Sequence, residues 1–368
     1  MGRFCALVLV LAACGDNDSV PTFERQGAPV NNGYATGPTT VNLEPTVCGV
    51  QMWTPQATID PTTQLIVAPQ TTGATVLLLP AGGGQPTTFT VDERMMVATD
   101  GTKVSGPTYT SAVLSTVNNR LEMSGYDPVA GVVRVSLVDP QLGNQVEILK
   151  APGNMTPAMF EAVGARMAAV ADNSGVTAYH FDRDWTQDGS MLITATNTTE
   201  GITASAYGDA ALVGWSTHDS CYLARLPGFA PADFGLVGAT ACWVPQVAGD
   251  AAGHKAVMVY QYGDNVHAAF VSQTNVSVPQ TSLVSPAAKS PRVVFDGTRF
   301  WTSFINGHGD MTVGFFDTYN HLHRIDLVGI RPTDKSYQLT MIGGAPWLVA
   351  LDSANGYTAH ELCVTPAQ

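Results

Sequence analysis

The sequence predicts an all-β chain folded as a seven-bladed β-propeller, on three observations. A ten-residue apolar segment returns seven times, a second apolar segment precedes each copy, and the composition favours strands and turns, with 36 Gly and 23 Pro beside many Thr and Val. The copies align without gaps as GATVLLLPAG, GVVRVSLVDP, GVTAYHFDRD, DSCYLARLPG, DNVHAAFVSQ, DMTVGFFDTY and GYTAHELCVT. They begin at Gly73, Gly131, Gly175, Asp219, Asp264, Asp310 and Gly356, so the steps are 58, 44, 44, 45, 46 and 46 residues. This is a period of about 45 with one insertion between the first two copies.

The preceding segments are TQLIVAP, RLEMSG, ARMAAVAD, AALVGWS, KAVMVYQ, RFWTSFIN and APWLVAL, and Trp301 and Trp347 fall 46 residues apart at the same place in adjacent copies. Further upstream lies an edge such as TPQATIDPTTQL, TPAMFEAVGARM or SPRVVFDGTRFW, which opens on Pro and ends in a turn. Four short strands in about 45 residues are the sequence mark of a propeller blade, whereas a solenoid turn needs only about 20–30 residues. WD dipeptides in register, Gly-Gly kelch pairs, sialidase-type Asp boxes and the Trp-docking repeat of quinoprotein propellers are all missing from these copies. A chain of 368 residues that is 45% hydrophobic has ample material for a core, which excludes disorder. With 17 basic against 30 acidic residues, a formal net charge of -13 speaks against nucleic-acid binding through a basic surface.

The N-terminus reads as an address. Met1-Gly2-Arg3 is followed by the apolar run from Phe4 to Ala13, then Cys14, and the chain turns polar at once with Gly15-Asp16-Asn17-Asp18. A run this short is a signal-peptide h-region, because a spanning helix needs about 20 apolar residues. Ala6 stands where a myristoylation motif needs Ser or Thr. The run Leu11-Ala12-Ala13-Cys14 resembles the bacterial lipobox. That resemblance implies a signal peptide over residues 1–13, lipidation of Cys14, a Gly/Pro/Asn/Thr-rich tether over 14–40 and a propeller domain over 41–368. The layout is similar to that of bacterial propeller lipoproteins, including the outer-membrane-assembly type. It implies a monomer held in the bacterial cell envelope by lipid, at the outer membrane.

Ring closure pairs the remaining cysteines. The last copy ends at Thr365 with three residues to follow, so its blade lacks a fourth strand, and the segment VNLEPTVCGV from Val41 to Val50 is free to supply it. Docking that segment beside the last strand brings Cys48 to Cys363. The other two, Cys221 and Cys242, lie on the third strand of blade 4 and at the end of its fourth, where a hairpin would bring them together. Export makes both disulfides permissible.

Catalytic signatures are thin. Gly-x-Ser-x-Gly, His-Glu-x-x-His, a Walker loop and a nucleotide glycine fingerprint are all missing from the sequence. His180, His267 and His360 fall inside expected strands and read as packed histidines. Asp182, Asp184 and Asp188 resemble a calcium loop only faintly, because the third Asp comes two residues late, and they read as a polar turn. Asp60, Glu161 and Asp296 read as turn residues as well. One feature exceeds background: the hairpins between the second and third strands carry Asp127, Asp172, Asp219, Asp264, Asp310 and Asp352, six of seven copies. Asp is an ordinary turn residue, yet hairpins that share one end of a ring also build a common field. The expected site is therefore an acidic rim for a cation or a basic partner, with His218, His308, Tyr126 and Tyr262 beside it. The expected function is a non-enzymatic scaffold for a protein or glycan, needing no cofactor. The alternatives are a channel-mouth hydrolase or lyase and a structural subunit of an envelope complex.

Overall fold

The computed structural model describes residues 43–366, apart from 54–61, 81–86, 98–101, 104–110, 118–119, 139–144, 163–164, 183, 196–198, 219, 228–232, 237–241, 251, 273–274 and 353–355. The signal segment, Cys14 and the tether lie outside the described residues, as do Asp60 and Asp219. What is described is all strand and turn, in seven four-stranded antiparallel sheets.

The chain opens with β1 (Leu43–Trp53). Blade 1 holds β2 (Gln64–Pro69), β3 (Ala74–Leu79), β4 (Thr87–Val91) and β5 (Thr102–Lys103). Blade 2 holds β6 (Ser111–Val117), β7 (Arg120–Asp127), β8 (Val132–Val138) and β9 (Gln145–Pro152). Blade 3 holds β10 (Ala158–Ala162), β11 (Ala165–Ala171), β12 (Val176–Phe181) and β13 (Gln187–Thr194). Blade 4 holds β14 (Thr199–Tyr207), β15 (Ala210–Thr217), β16 (Cys221–Pro227) and β17 (Asp233–Leu236). Blade 5 holds β18 (Cys242–Gly249), β19 (Lys255–Tyr262), β20 (Asn265–Ser272) and β21 (Asn275–Ser285). Blade 6 holds β22 (Lys289–Phe295), β23 (Phe300–Ile305), β24 (Met311–Phe316) and β25 (Leu322–Leu327). Blade 7 takes β26 (Tyr337–Ile342), β27 (Ala345–Asp352) and β28 (Gly356–Pro366) from the C-terminus and β1 from the N-terminus.

First strands touch the first strands of both neighbouring blades all the way round, so these seven strands form the inner wall of the ring. Blade count and closure are as the period requires: β1 runs antiparallel to β28, from Leu43 opposite Pro366 to Trp53 opposite Tyr357. Blade 1 corrects the alignment in one respect. The segment beginning at Gly73 is its second strand, β3, whereas the other six copies are third strands. The true third strand, β4, starts at Thr87, 45 residues before β8 at Val132, so the step of 58 is one blade plus one strand and not an insertion. The cause is composition. Ala74–Leu79 is apolar at all but Thr75, while Thr87–Val91 alternates, with Phe89 and Val91 turned into the core between Thr residues.

Among the described residues there is no single core. The buried side chains fall into seven clusters, and each lies in the seam between two neighbouring blades. One joins blades 7 and 1 through Leu65, Val67, Phe89, Met95, Trp347 and Tyr357, and another joins blades 6 and 7 through Trp301, Phe315, Leu339 and Leu362. Middle strands are therefore packed on both faces, which is why β15, β23 and β24 are buried at every residue and read as mostly apolar runs broken only by Ser and Thr. Outer strands such as β25 and β9 meet water on one side and alternate with Arg, His, Asp, Glu and Lys. The first hairpin of blade 7 shows the turn chemistry: Gly343 and Gly344 have φ of 58° and 83°, the two positive values that a two-residue type I′ turn demands.

Antiparallel order puts every second–third hairpin, and every connection from blade to blade, at one end of the ring. First–second and third–fourth hairpins lie at the other. Both cysteine pairs form disulfides: Cys48 with Cys363, Cα atoms 5.9 Å apart, and Cys221 with Cys242, 5.5 Å apart, although Cys242 opens the first strand of blade 5 instead of ending the fourth of blade 4, so the bond crosses between blades.

Candidate functional site

Five of the six hairpin aspartates are described, and all five stand at the second–third end, each in a different blade. They do not form a rim of equivalent free charges. In blade 2, Asp127 Oδ1 accepts the N–H groups of Val129 and Ala130, at 3.0 and 3.1 Å, while Oδ2 lies 3.8 Å from Arg134 Nε. In blade 3, Asp172 Oδ1 accepts Ser174 N–H, Ser174 O–H and Gly175 N–H at 2.6, 2.6 and 2.9 Å. Burial opposes ionisation of Asp172, but these hydrogen bonds outweigh it and hold the carboxyl below its ordinary value.

Blades 6 and 7 share one arginine. Asp310 Oδ1 accepts Arg331 Nε at 2.8 Å and Gly329 N–H at 3.1 Å, and Asp352 Oδ2 accepts the Arg331 backbone N–H at 2.8 Å. The Arg331 side-chain bond, more than anything else, holds the Asp310 carboxyl below its ordinary value. These two aspartates are buried and clamp the connection from β25 to β26, so they differ from the exposed rim groups expected of them. Asp264 in blade 5 is exposed, and its carbonyl accepts Ala288 N–H at 2.8 Å. The acidity of this end is thus graded round the ring: Arg134 and Arg331 offset it at blades 2, 6 and 7, while blades 3 to 5 present Asp172, Glu200 and Asp264. Exposed His218 lies 3.3 Å from Glu200, and His308 is exposed at its hairpin tip. Tyr126 is half-buried on β7, and Tyr262 sets its ring edge-on to His267 at 5.4 Å instead of offering it to a ligand.

The strand histidines have distinct surroundings. His180 pairs through Nδ1 with Asp188. Asp182 Oδ1 accepts Asp184 N–H and Thr186 N–H at 2.8 and 2.9 Å, and the three carboxylates of DRDWTQDG do not come within 4.8 Å of one another as a group. His267 stacks on Tyr260 at 5.7 Å, and His360 is 7% exposed; burial pushes both imidazoles below their ordinary value. The sign follows from proton uptake. Below about pH 6.5 the unfolded chain protonates these rings and the folded chain does not, so the stability they contribute is complete above that pH and is lost as pH falls through the folded values. Urea midpoints are expected to drop between pH 7 and pH 5.5, and to drop less in His267→Gln. A midpoint independent of pH in the parent protein would contradict this.

The opposite end carries features that the sequence analysis missed. Asp92, Asp182 and Asp317 each follow a third strand and open the same turn. Oδ1 accepts the N–H groups two and four residues on, and the third following residue, Met95, Trp185 or Asn320, has φ of 60°, 67° or 70°. An Asp directly after an apolar strand in three copies was the available signal. A cavity of about 410 Å³ opens between blades 7 and 1, lined by Gln51, Glu93, Arg94, Ile342, Trp347 and Glu361 among others. The Trp347 indole N–H is buried without a hydrogen-bond partner. One repeat earlier, Trp301 donates the same N–H to Asp296 Oδ2 at 2.6 Å, and the residue 46 positions after Asp296 is Ile342. Asp296 is thus a turn residue with a partner, and Glu161 is exposed on β10.

No protein-family model matches the chain, and no curated protein matches its sequence. Solved structures do match the fold. The WD40 domain of Toxoplasma gondii coronin superposes with a TM-score of 0.55 at 12% identity, covering 89% of this chain and 87% of that one. A chain from a mitotic checkpoint complex gives the same TM-score at 11% identity, covering 89% of this chain and 95% of its own length. The chain has the seven-bladed, WD40-like propeller fold. At these identities the likeness is one of fold alone.

Proposed function

We propose that the protein is an exported, lipid-anchored scaffold of the bacterial cell envelope whose second–third hairpin end binds a protein or glycan without catalysis. The observation that carries this is the gathering of Asp172, Glu200 and Asp264 on the adjacent blades 3 to 5 at one end of a closed ring, where among the described residues no Arg or Lys is paired with them. Carboxylates on adjacent blades favour a basic segment, and the attraction should weaken as salt screens it over about 10 Å at 0.1 M. Two disulfides suit an oxidising compartment. One fold neighbour comes from a mitotic checkpoint complex. The lipobox-like Leu11-Ala12-Ala13-Cys14 supports an anchor at Cys14, with residues 1–13 removed, 14–40 as tether and the outer membrane as destination.

Two experiments test the proposal. Cys14→Ala is expected to shift the protein from the membrane to the soluble fraction or to leave it unprocessed; fractionation identical to the parent refutes the anchor. For the surface, Asp172→Asn keeps its turn acceptor and Asp264→Asn changes an exposed side chain, so the double variant removes two charges while the fold survives, and capture of partners cross-linked in intact cells falls. Unchanged capture by this variant, with salt of no effect, leaves these aspartates as turn residues.

A further inference from the structure

At the end of the ring opposite the aspartate hairpins, the third–fourth turn of blade 6 reads Asp317-Thr318-Tyr319-Asn320-His321-Leu322-His323. The turn occupies only one oxygen of Asp317: Oδ1 accepts Tyr319 N–H and His321 N–H, both at 2.8 Å. Oδ2 faces two imidazoles, with His321 Nδ1 at 3.4 Å and His323 Nε2 at 3.5 Å. Neither histidine is needed to make the turn. The equivalent turns at Asp92 and Asp182 close the same way with Met96 or Thr186 in the place of His321, and Asp188 stands in the place of His323 in the second.

We propose that Asp317, His321 and His323 bind a divalent transition-metal ion of the zinc class. Two imidazoles and a carboxylate are a donor set that zinc, nickel and copper accept, with water free to complete the shell. The two nitrogen–oxygen separations exceed the 2.7–3.2 Å of an ordinary N–H···O bond. They match instead the edge of a tetrahedron with bonds of about 2.0–2.1 Å, roughly 3.3 Å. One edge is still open, since the three donor atoms do not all lie within 4.8 Å of one another. The movable partner is His321, whose side chain is 62% exposed. His323 is held, its ring stacked on Phe315 at 5.2 Å and 11°. Lys255 is the cation reaching this turn, and its Nζ is tied to Asn320 Oδ1 at 2.5 Å.

Calorimetric titration of the full chain with zinc sulfate at neutral pH tests the site. The parent is expected to take up one Zn²⁺ saturably, with affinity falling on acidification as protons compete for the imidazoles. His321→Ala, an exposed change, and Asp317→Asn, which keeps the turn acceptor, are each expected to weaken binding at least about 10-fold, with circular dichroism unchanged. His308→Ala, at the other end of the ring, should bind as the parent does. No saturable binding by the parent, or binding that His321→Ala and Asp317→Asn leave untouched, overturns the proposal.

Discussion

Replacing Cys48 and Cys363 together by Ser is expected to lower the melting temperature by about 5–10 °C, the larger loss of the two disulfides. The bond joins residues 315 apart in sequence and ties β1, the sole N-terminal contribution to blade 7, to the C-terminal strand β28. In the chain-entropy description a loop of this length contributes about 6 kcal/mol, beyond the upper end of the observed range of about 0–5. Without the bond, blade 7 is still held by the β1–β28 ladder and by Leu43, Val47 and Val364 against the blade 6–7 core. The ring should therefore stay folded at 25 °C while β1 becomes the first site of proteolytic nicking. Opening Cys221–Cys242, whose residues are 21 apart within one seam, should cost about 3 kcal/mol and leave β1 protected. Equal melting temperatures for the parent and the Cys48→Ser, Cys363→Ser variant would show that the clasp contributes nothing to ring closure.

Glu122→Ala is expected to destabilise the protein by about 3–5 kcal/mol, because it removes the carboxylate that faces a buried cation. Arg166 on β11 and Glu122 on β7 meet across the seam of blades 2 and 3, Nε to Oε1 at 4.0 Å, with side chains 5% and 1% exposed. Arg166 also lies over the Trp185 ring, 3.8 Å from its centroid, so the guanidinium is fixed by packing as well as by charge. Water cannot reach the site to solvate whichever partner remains. The paired replacement Glu122→Leu with Arg166→Met removes both charges and should recover most of that loss, which denaturant midpoints would reveal. A single Glu122→Ala change of less than about 1 kcal/mol would mean that the seam relaxes and admits water.

Fold and site were legible in the sequence to different degrees, and particular residues show why. The step of about 45 residues carried the blade count, and the unpartnered Val41–Val50 segment carried ring closure and hence Cys48 with Cys363. Strand register within blade 1 was misread, since apolar content alone promoted Ala74–Leu79 over the alternating Thr87–Val91. The five described hairpin aspartates do stand at the second–third end of their blades, but their equivalence was not real. Arg331 reaches Asp310 and Asp352 from a connection 21 residues from each, and no spacing rule announces it. The same holds for Asp317 with His321 and His323, where a common turn sequence acquired two imidazoles on one carboxylate oxygen.

Strands and turns are local. They follow from two-residue alternation, from β-branched and apolar runs and from Gly, Pro, Asn and Asp at tight turns, and these repeat visibly when a blade repeats. By itself the sequence therefore determined the seven blades, the strand that closes them and the cysteines that lock the closure. Partnerships between charged side chains were decided only by the tertiary structure. Glu122 and Arg166, 44 residues apart, meet because two blade faces pack at one angle, and Coulomb attraction and desolvation act over a few ångströms of space regardless of sequence separation.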